Sequence, residues 1–463
     1  MKRLSRNVLA IVASDVGRRI IGFFTVAYLA RRLGTSEFGV INIAFTVLSY
    51  AVMASAGGLG TYGARAVAQG STGIVNAILS LRLVTACAAY ALVAAIAVLF
   101  VSDVLIARAI LIACISIFAG ALTLEWYFQG REAMGMIGAG RLISALVYFA
   151  LVLVLVRRPD DVLLVATAAV AGDIVAAIAV LGVFRARYGM PFRIDLKGQF
   201  SKFREAFPIG IGSTLGHISI NLPAIVIAIT MSASDVGIYS AAQKMVFFLL
   251  MFDRLLGTVL LPAAARMHAV SSDLLSTNLS HALRWILIVA LPVTLGGTML
   301  ATPVISLVFG AQYASAGAIF RILIWYFFFT MLHTVYTSGL VAIGREDRYS
   351  RVMYVSAAVY AIAIIAGTKF AGTVGCAAGV SAAEAITLYL MRAEFKKFVR
   401  TSLRKAVVPI GIAGAIMCIA LFLLPTIHVA LSIAAGAVVY TASLFVLKGV
   451  TPLDLRELAG RFT

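Results

Sequence analysis

The chain has 463 residues, of which 62% are hydrophobic and only 12% charged, with 38 Lys and Arg against 19 Asp and Glu and a formal net charge of +19. Soluble domains carry about 25% charged residues, so half that share leaves too little polar surface to cover a water-facing globule, and hydrocarbon is the expected solvent. The basic excess does not mark a nucleic-acid partner: Lys and Arg fall in small groups between apolar runs, as in the short loops of a membrane protein, not on one folded face.

At the start, Lys2, Arg3 and Arg6 precede an apolar run that is too long for a signal peptide and lacks a small-residue cleavage site, so an uncleaved first helix is expected. At about 20 apolar residues per crossing, the chain accommodates about fourteen spans. They are predicted near 8–30, 38–57, 82–101, 105–125, 140–157, 162–184, 206–230, 236–258, 283–302, 318–342, 351–368, 374–392, 406–425 and 429–447. The runs are continuous and do not alternate, which indicates helices and not barrel strands. Cys87, Cys114, Cys376 and Cys418 lie inside apolar runs without paired spacing, so they are expected to be small core residues, with no disulfide, metal site or cofactor. Most of the 38 Lys and Arg fall on one side when both termini are placed in the cytoplasm, with 185–204 and 392–405 the strongest inside signals. Arg31, Arg32, Arg157 and Arg158 are the exceptions, at the outer interface, where long side chains snorkel.

Three landmarks recur in order at offsets of about 200 residues. Thr35-Ser36-Glu37-Phe38-Gly39-Val40 is echoed by Ala233-Ser234-Asp235-Val236-Gly237-Ile238, Ala64-Arg65 by Ala265-Arg266, and Gly130-Arg131-Glu132 by Gly344-Arg345-Glu346. The fold class is therefore an all-α polytopic membrane protein with two pseudosymmetric six-helix lobes, of shared orientation, plus two C-terminal helices. The expected organisation is an N-terminal lobe at 1–184, a basic cytoplasmic linker at 185–205, a C-terminal lobe at 206–392, and a helix pair with a cytoplasmic tail at 393–463. Ser36 with Glu37, and Ser234 with Asp235, are placed to cap helix starts. Gly39 and Gly237 suit close helix packing. The clusters Trp126-Tyr127-Phe128 and Trp325-Tyr326-Phe327 suit interfacial belts or packing, and Pro208, Pro223 and Pro292 suit helix kinks.

A charge at the centre of a spanning helix costs about 2.5–3.5 kcal/mol on insertion scales and should face a partner or water. Asp15, Arg18 and Arg19 share one face of the first span, with Arg18 roughly 15 Å deep. One acid cannot neutralise both arginines. The second span carries Asn42, Thr46 and Tyr50, the seventh Ser213, His217 and Asn221, and the eighth Ser240 and Lys244, followed by Asp253 and Arg254. In the repeat register Arg19 falls opposite His217. These stripes predict a hydrophilic, cationic cavity between the lobes, although interhelical hydrogen bonding explains the Ser, Thr and Asn members equally well. Arg18, Arg19, Lys244, His217, Arg254, Asn42 and Asn221 are the candidate substrate-binding residues. A cationic cavity calls for an anionic cargo, and arginine's planar fork matches phosphate oxygens. Asp15, Asp173 and Glu384 are candidates for ion coupling, with proton or sodium as the ion, or else they pair with arginines; Glu125 lies near an inner helix end.

The segments Ala30-Arg31-Arg32-Leu33-Gly34-Thr35-Ser36-Glu37-Phe38-Gly39, Gly57 to Gly60 and Ala64-Arg65-Ala66-Val67-Ala68, with the echo from Ser234 to Ala242, resemble the polysaccharide flippases of the multidrug/oligosaccharidyl-lipid/polysaccharide exporter superfamily. The resemblance implies alternating access that carries an undecaprenyl-pyrophosphate-linked oligosaccharide from the inner to the outer leaflet of the bacterial cytoplasmic membrane. It implies membrane lipids and a polysaccharide polymerase as partners, and no enzymatic activity. Relatives that flip the peptidoglycan precursor use arginines of the first and eighth helices; Arg18, Arg19 and Lys244 occupy comparable helices here. A lysine at 244, and no arginine within the second span, depart from that pattern and favour an O-antigen, capsule or exopolysaccharide unit. A drug or cation antiporter of the same superfamily would need an acidic cavity. A membrane glycosyltransferase, polymerase or ligase would need catalytic side chains in sizeable loops, and the predicted outer loops are short. A non-transporting scaffold would leave the intramembrane cations unexplained.

Overall fold

The computed structural model describes residues 2–71, 73–189, 193–195, 200–399, 401, 404–424 and 428–450, and their side chains except those of 2–15, 200, 201, 209, 211–220 and 404–406. No strand occurs among the described residues. The helices in chain order are α1 (Lys2–Leu33), α2 (Thr35–Ala56), α3 (Leu59–Ala68), α4 (Val75–Phe100), α5 (Val104–Cys114), α6 (Ser116–Leu122), α7 (Glu125–Gly130), α8 (Met134–Leu155) and α9 (Val162–Tyr188). They continue with α10 (Phe200–Thr230), α11 (Ala233–Leu249), α12 (Met251–Val270), α13 (Ser272–Met299), α14 (Ala301–Phe309), α15 (Ala316–Ala342), α16 (Glu346–Phe395), α17 (Arg404–Leu423) and α18 (Val429–Val446). Among the described residues ten helices are long and apolar enough to cross a membrane, with shorter apolar helices at 221–230 and 407–423.

Each of the predicted spans falls in helical structure, although 105–125 is divided among α5, α6 and α7 and 236–258 between α11 and α12, because hydrocarbon forces both a continuous apolar run and internal backbone hydrogen bonding onto the same segment. Several helices begin earlier than their apolar runs. α4 starts at Val75, not 82, which carries Arg82 into the helix body. Two adjacent spans form one unit in α16, whose 50 residues would be roughly 75 Å long if straight. Ala371 and Gly372 are non-helical, with Gly372 at φ 58°, and the chain folds back there. A Cβ on Gly375 would lie 2.0 Å from the Gly367 carbonyl oxygen, and one on Gly379 would lie 2.3 Å from that of Ala363. The two arms therefore touch backbone to backbone, with 367 opposite 375 and 363 opposite 379.

The chain divides into two compact units, Met1–Ser240 and Ala241–Thr463. In the first, α10 packs along α2 and α3. Gly58 and Gly210 meet there, and the Asn221 amide donates to Ser49 Oγ at 3.1 Å. The start of α11 meets the start of α2, where a Cβ on Gly39 would lie 1.7 Å from the Ala233 oxygen and one on Gly237 2.0 Å from the Thr35 oxygen. The expected close packing is thus a packing of the two repeat landmarks against each other. Trp126, Tyr127 and Phe128 are fully buried in a core with Leu59, Ile78 and Phe184, not spread in a belt. In the second unit α15 packs against α12, α13 and both arms of α16, and α17 and α18 pair with each other.

Capping differs from expectation. α2 starts after Gly34 with no side-chain cap, so Ser36 is not its cap. At α11 the cap is Ser232. Its Oγ accepts from Asp235 N at 3.2 Å, and an Asp235 carboxylate oxygen accepts from Ser232 N at 3.1 Å, a reciprocal capping box. Ser234, one residue inside the helix, donates to Thr35 Oγ1 at 2.8 Å instead. The third landmark pair is out of register by two residues. Glu132 takes the left-handed conformation at φ 54°, whereas in the echo it is Gly344 at φ 70°. In each loop the next residue, Ala133 or Arg345, closes back onto the preceding helix, at Phe128 O and Leu340 O. Cys114 and Cys376 are buried as expected, but Cys87 is exposed on α4.

Candidate functional site

In the first unit Arg18, near the middle of α1, lines a cavity of about 580 Å³ with Arg82 of α4, Glu125 of α7, Arg141 and Ser144 of α8, and Asp173 of α9. The local sequence explains why these groups converge. The transmembrane segment from 104 to 130 is broken into α5, α6 and α7, and its last break, between Leu122 and Glu125, places the Gly120 and Thr123 carbonyls at a helix end, the first already accepting from Thr123. Arg82 reaches both, donating to Gly120 O at 2.8 Å and to Thr123 O at 3.0 Å. Glu125 then opens α7 and receives the Arg141 guanidinium on both oxygens, at 2.8 and 2.7 Å, a fork-to-carboxylate pair. Ser144, one turn along from Arg141, donates to Asp173 at 2.7 Å. The cavity wall thus carries three arginines against two carboxylates, and each carboxylate is already engaged.

In the second unit the polar groups gather on α15. Thr330, His333 and Thr334 share one helix face. Thr334 donates to Asp253 of α12 at 2.6 Å. Thr330 reaches Glu384 of α16 at 2.9 Å, His333 Nδ1 lies 3.2 Å from the same carboxylate oxygen, and the Tyr360 hydroxyl bonds the other. Glu384 is only 5% exposed. A separate, almost wholly apolar cavity of about 650 Å³ is lined by residues of α11, α13, α15, α17 and α18, among them Met245, Trp285, Ile324, Met417 and Tyr440.

Of the residues singled out in sequence, Arg18 and Asp173 line one cavity, while Glu384 sits in the other unit. Asn42 is buried and donates to Phe38 O of its own helix at 2.7 Å, and the Asn221 amide donates to Ser49 Oγ at 3.1 Å. Lys244 is half-buried on α11 and has no carboxylate within ion-pair distance among the described residues. Arg254 follows Asp253 on α12, and Arg19 follows Arg18 on α1. Asp15 and His217 lie in α1 and α10, but their side chains fall outside the described residues. Sequence reasoning passed over Arg82, Arg141 and His333. For His333 a signal was present, in the i, i+3, i+4 spacing of Thr330, His333 and Thr334 within an otherwise apolar span.

The fold is similar to that of the lipid II flippase MurJ in an inward closed conformation, with a TM-score of 0.76 at 14% identity, covering 94% of this chain and 98% of that one. It is also similar to a multidrug resistance MATE family transporter of the MOP superfamily in an inward-facing conformation, with a TM-score of 0.67 at 14% identity over 84% of this chain and 97% of that one. A MOP superfamily transporter from Pyrococcus furiosus aligns with a TM-score of 0.56 at 12% identity, over 85% of this chain and 94% of that one. By sequence, no curated protein matches the chain. The sequence model of the polysaccharide biosynthesis protein family matches residues 4–268, more than half of the chain, with Arg18, Arg82, Arg141 and Asp173 inside the match. The chain therefore belongs to the polysaccharide biosynthesis protein family, and its architecture is a MurJ- and MATE-like polytopic helical fold.

Proposed function

We propose that the chain is a flippase that carries an undecaprenyl-pyrophosphate-linked oligosaccharide from the inner to the outer leaflet of the bacterial cytoplasmic membrane by alternating access. The observation that carries this reading is the polar cavity of the first unit, where Arg18, Arg82 and Arg141 outnumber Asp173 and Glu125 among spanning helices. Arginines at such a site suit a diphosphate, whose oxygens match the guanidinium fork. Arg18 and Arg19 contact the diphosphate in this proposal, Lys244 and Arg254 add cationic contacts for the cargo, and His217, Asn42 and Asn221 add polar ones. The apolar cavity beside α17 and α18 offers room for part of a polyprenyl chain, which needs no polar partner. O-antigen, capsule and exopolysaccharide units are the cargoes proposed. Both termini face the cytoplasm, the lobes at 1–184 and 206–392 provide the alternating access, and a polysaccharide polymerase takes the delivered unit. A cation or drug antiporter is the rival reading, and the arginine excess in the cavity speaks against it. No catalytic step is proposed.

The test uses cells that lack the gene. Loss of surface polysaccharide together with a raised inner-leaflet pool of the complete lipid-linked unit is expected. Arg18→Ala, inserted at wild-type abundance, should fail to restore export. Intact polysaccharide with raised sensitivity to cationic drugs would replace the flippase by the antiporter.

A further inference from the structure

We propose that the His333–Glu384 pair is a proton-binding site that drives the flippase, a role that rests on the function proposed above although its chemistry does not. Glu384 is buried, and a buried carboxylate must be fully hydrogen-bonded or neutral. One oxygen meets Thr330 at 2.9 Å and His333 Nδ1 at 3.2 Å, and the other meets the Tyr360 hydroxyl. Thr330 Oγ1 also lies 2.8 Å from Tyr326 O, one turn back on α15. A hydroxyl has a single hydrogen, so Thr330 cannot serve both oxygens at once.

Two arrangements follow, and both keep the Glu384 oxygens and the Thr330 hydroxyl hydrogen-bonded. With Glu384 ionised, Thr330, His333 Nδ1–H and Tyr360 all donate to it. With Glu384 protonated by way of His333, the carboxyl hydrogen lies toward the Nδ1 that released it, the ring keeps its hydrogen on Nε2, and Thr330 can turn its hydrogen to the Tyr326 carbonyl. A proton enters or leaves with the Glu384 carboxyl hydrogen-bonded in both states. His333 supplies the relay. Its Nε2 is buried and has no hydrogen-bond partner among the described residues, which leaves that ring nitrogen open to the incoming proton.

The surrounding charges ask for such a proton. α12 contributes Asp253, held by Thr334 at 2.6 Å, and Arg254 beside it. α15 contributes Tyr326 and His333, and α16 contributes Tyr360 and Glu384. From α13, Arg284 is turned to Gly449 O at 2.9 Å. With Arg284 on the Gly449 carbonyl, Arg254 is the permanent cation beside the two carboxylates. A proton supplies the second positive charge. A metal ion fits less well, since the hydroxyl and imidazole hydrogens occupy the lone-pair directions of the Glu384 carboxylate. No group of three His, Cys, Asp or Glu residues with metal-holding geometry occurs among the described residues. Tyr360 and Glu384 stand on opposite arms of the α16 hairpin, so a change in the charge of Glu384 acts on both arms and on α15 together. Differential proton affinity between two conformations is what shifts their balance.

The test is infrared difference spectroscopy of the full chain in lipid vesicles, scanned from about pH 5 to 9, the range over which an imidazole–carboxylate pair exchanges its proton. A C=O band of a protonated carboxylic acid should titrate in the wild type and vanish in Glu384→Gln. In His333→Gln its midpoint should move by about one pH unit or more, a tenfold change in proton affinity. Thr330→Val should also move it, and serves if His333→Gln fails to fold. Exchanging sodium for potassium should leave the midpoint in place. In cells, Glu384→Gln at wild-type abundance should lose export. The proposal is overturned if no band is lost in Glu384→Gln, if neither His333→Gln nor Thr330→Val moves the midpoint, if sodium moves it, or if Glu384→Gln exports normally. The titration needs no cargo, so its failure leaves the flippase reading standing. Intact polysaccharide in the deletion strain would remove that reading and leave the proton site.

Discussion

Replacing Gly39 by Ala tests the seam where the starts of α2 and α11 meet. The added methyl would lie 1.7 Å from the Ala233 carbonyl oxygen and 2.6 Å from its carbon. A relaxed C···O contact is about 3.3 Å, so the helices must separate by roughly 1.6 Å. Both partners are backbone, so no rotamer change relieves the clash. Overpacking typically costs about 1–3 kcal/mol and more where backbone must move. Alanine returns about 0.5–1 kcal/mol of helix propensity. A net loss of about 2 kcal/mol is expected, lowering the melting temperature by several degrees. Gly237→Ala meets the Thr35 oxygen at 2.0 Å across the same seam. One separation relieves both clashes, so the double variant should lose less than the sum. The assay is thermal unfolding of purified protein followed by tryptophan fluorescence. Gly182→Ala is the control, because nothing lies within 4 Å of its added methyl. Melting of Gly39→Ala at the control temperature would refute the packing argument.

Arg82→Lys keeps the charge but loses the fork that serves Gly120 O and Thr123 O, so a destabilisation of about 1.5–3 kcal/mol is expected in the same melting assay. The Arg141–Glu125 pair has side chains 52% and 38% exposed, so a double-mutant cycle should return at most about 1 kcal/mol of coupling; a much larger value would show the cavity to be dry. At the loop before α9, the backbone N–H groups of Arg157 and Arg158 hold the Asp161 carboxyl below the ordinary aspartate range. Its folded value is depressed, so its contribution to stability is present above the unfolded value of about 4 and is lost as pH falls through the folded value. Melting scans on the acid side should therefore show a slope that Asp161→Asn removes; identical slopes in the two proteins would refute it.

Much of the architecture was legible in the residues. Phe328 and Phe329 beside Trp325, or Leu92 to Phe100, can only be solvated by hydrocarbon, and the backbone there has no recourse but helix. The helix ends were less legible. α4 begins seven residues before its apolar run, because a helix continues into the interface where hydropathy no longer marks it, and so the sequence places Arg82 at the very start of its span and not in the helix body. Ser234 and Ser232 are both good caps by type, and only backbone geometry chose between them. His333 was missed because a lone histidine in an apolar run says little until Glu384, 51 residues away, is seen beside it.

By itself the sequence determined the solvent, the class, the number and order of spans and the repeat landmarks, since these rest on local composition and on a backbone that must satisfy itself in lipid. Tertiary structure alone decided which polar groups meet. Ser144 finds Asp173 across 29 residues, Thr334 finds Asp253 across 81, and the arms of α16 bring Tyr360 to Glu384. Such pairings depend on how helix faces rotate and cross, and no periodicity along the chain encodes the partner's position. Composition shows that an intramembrane charge needs a partner; packing selects which one it has.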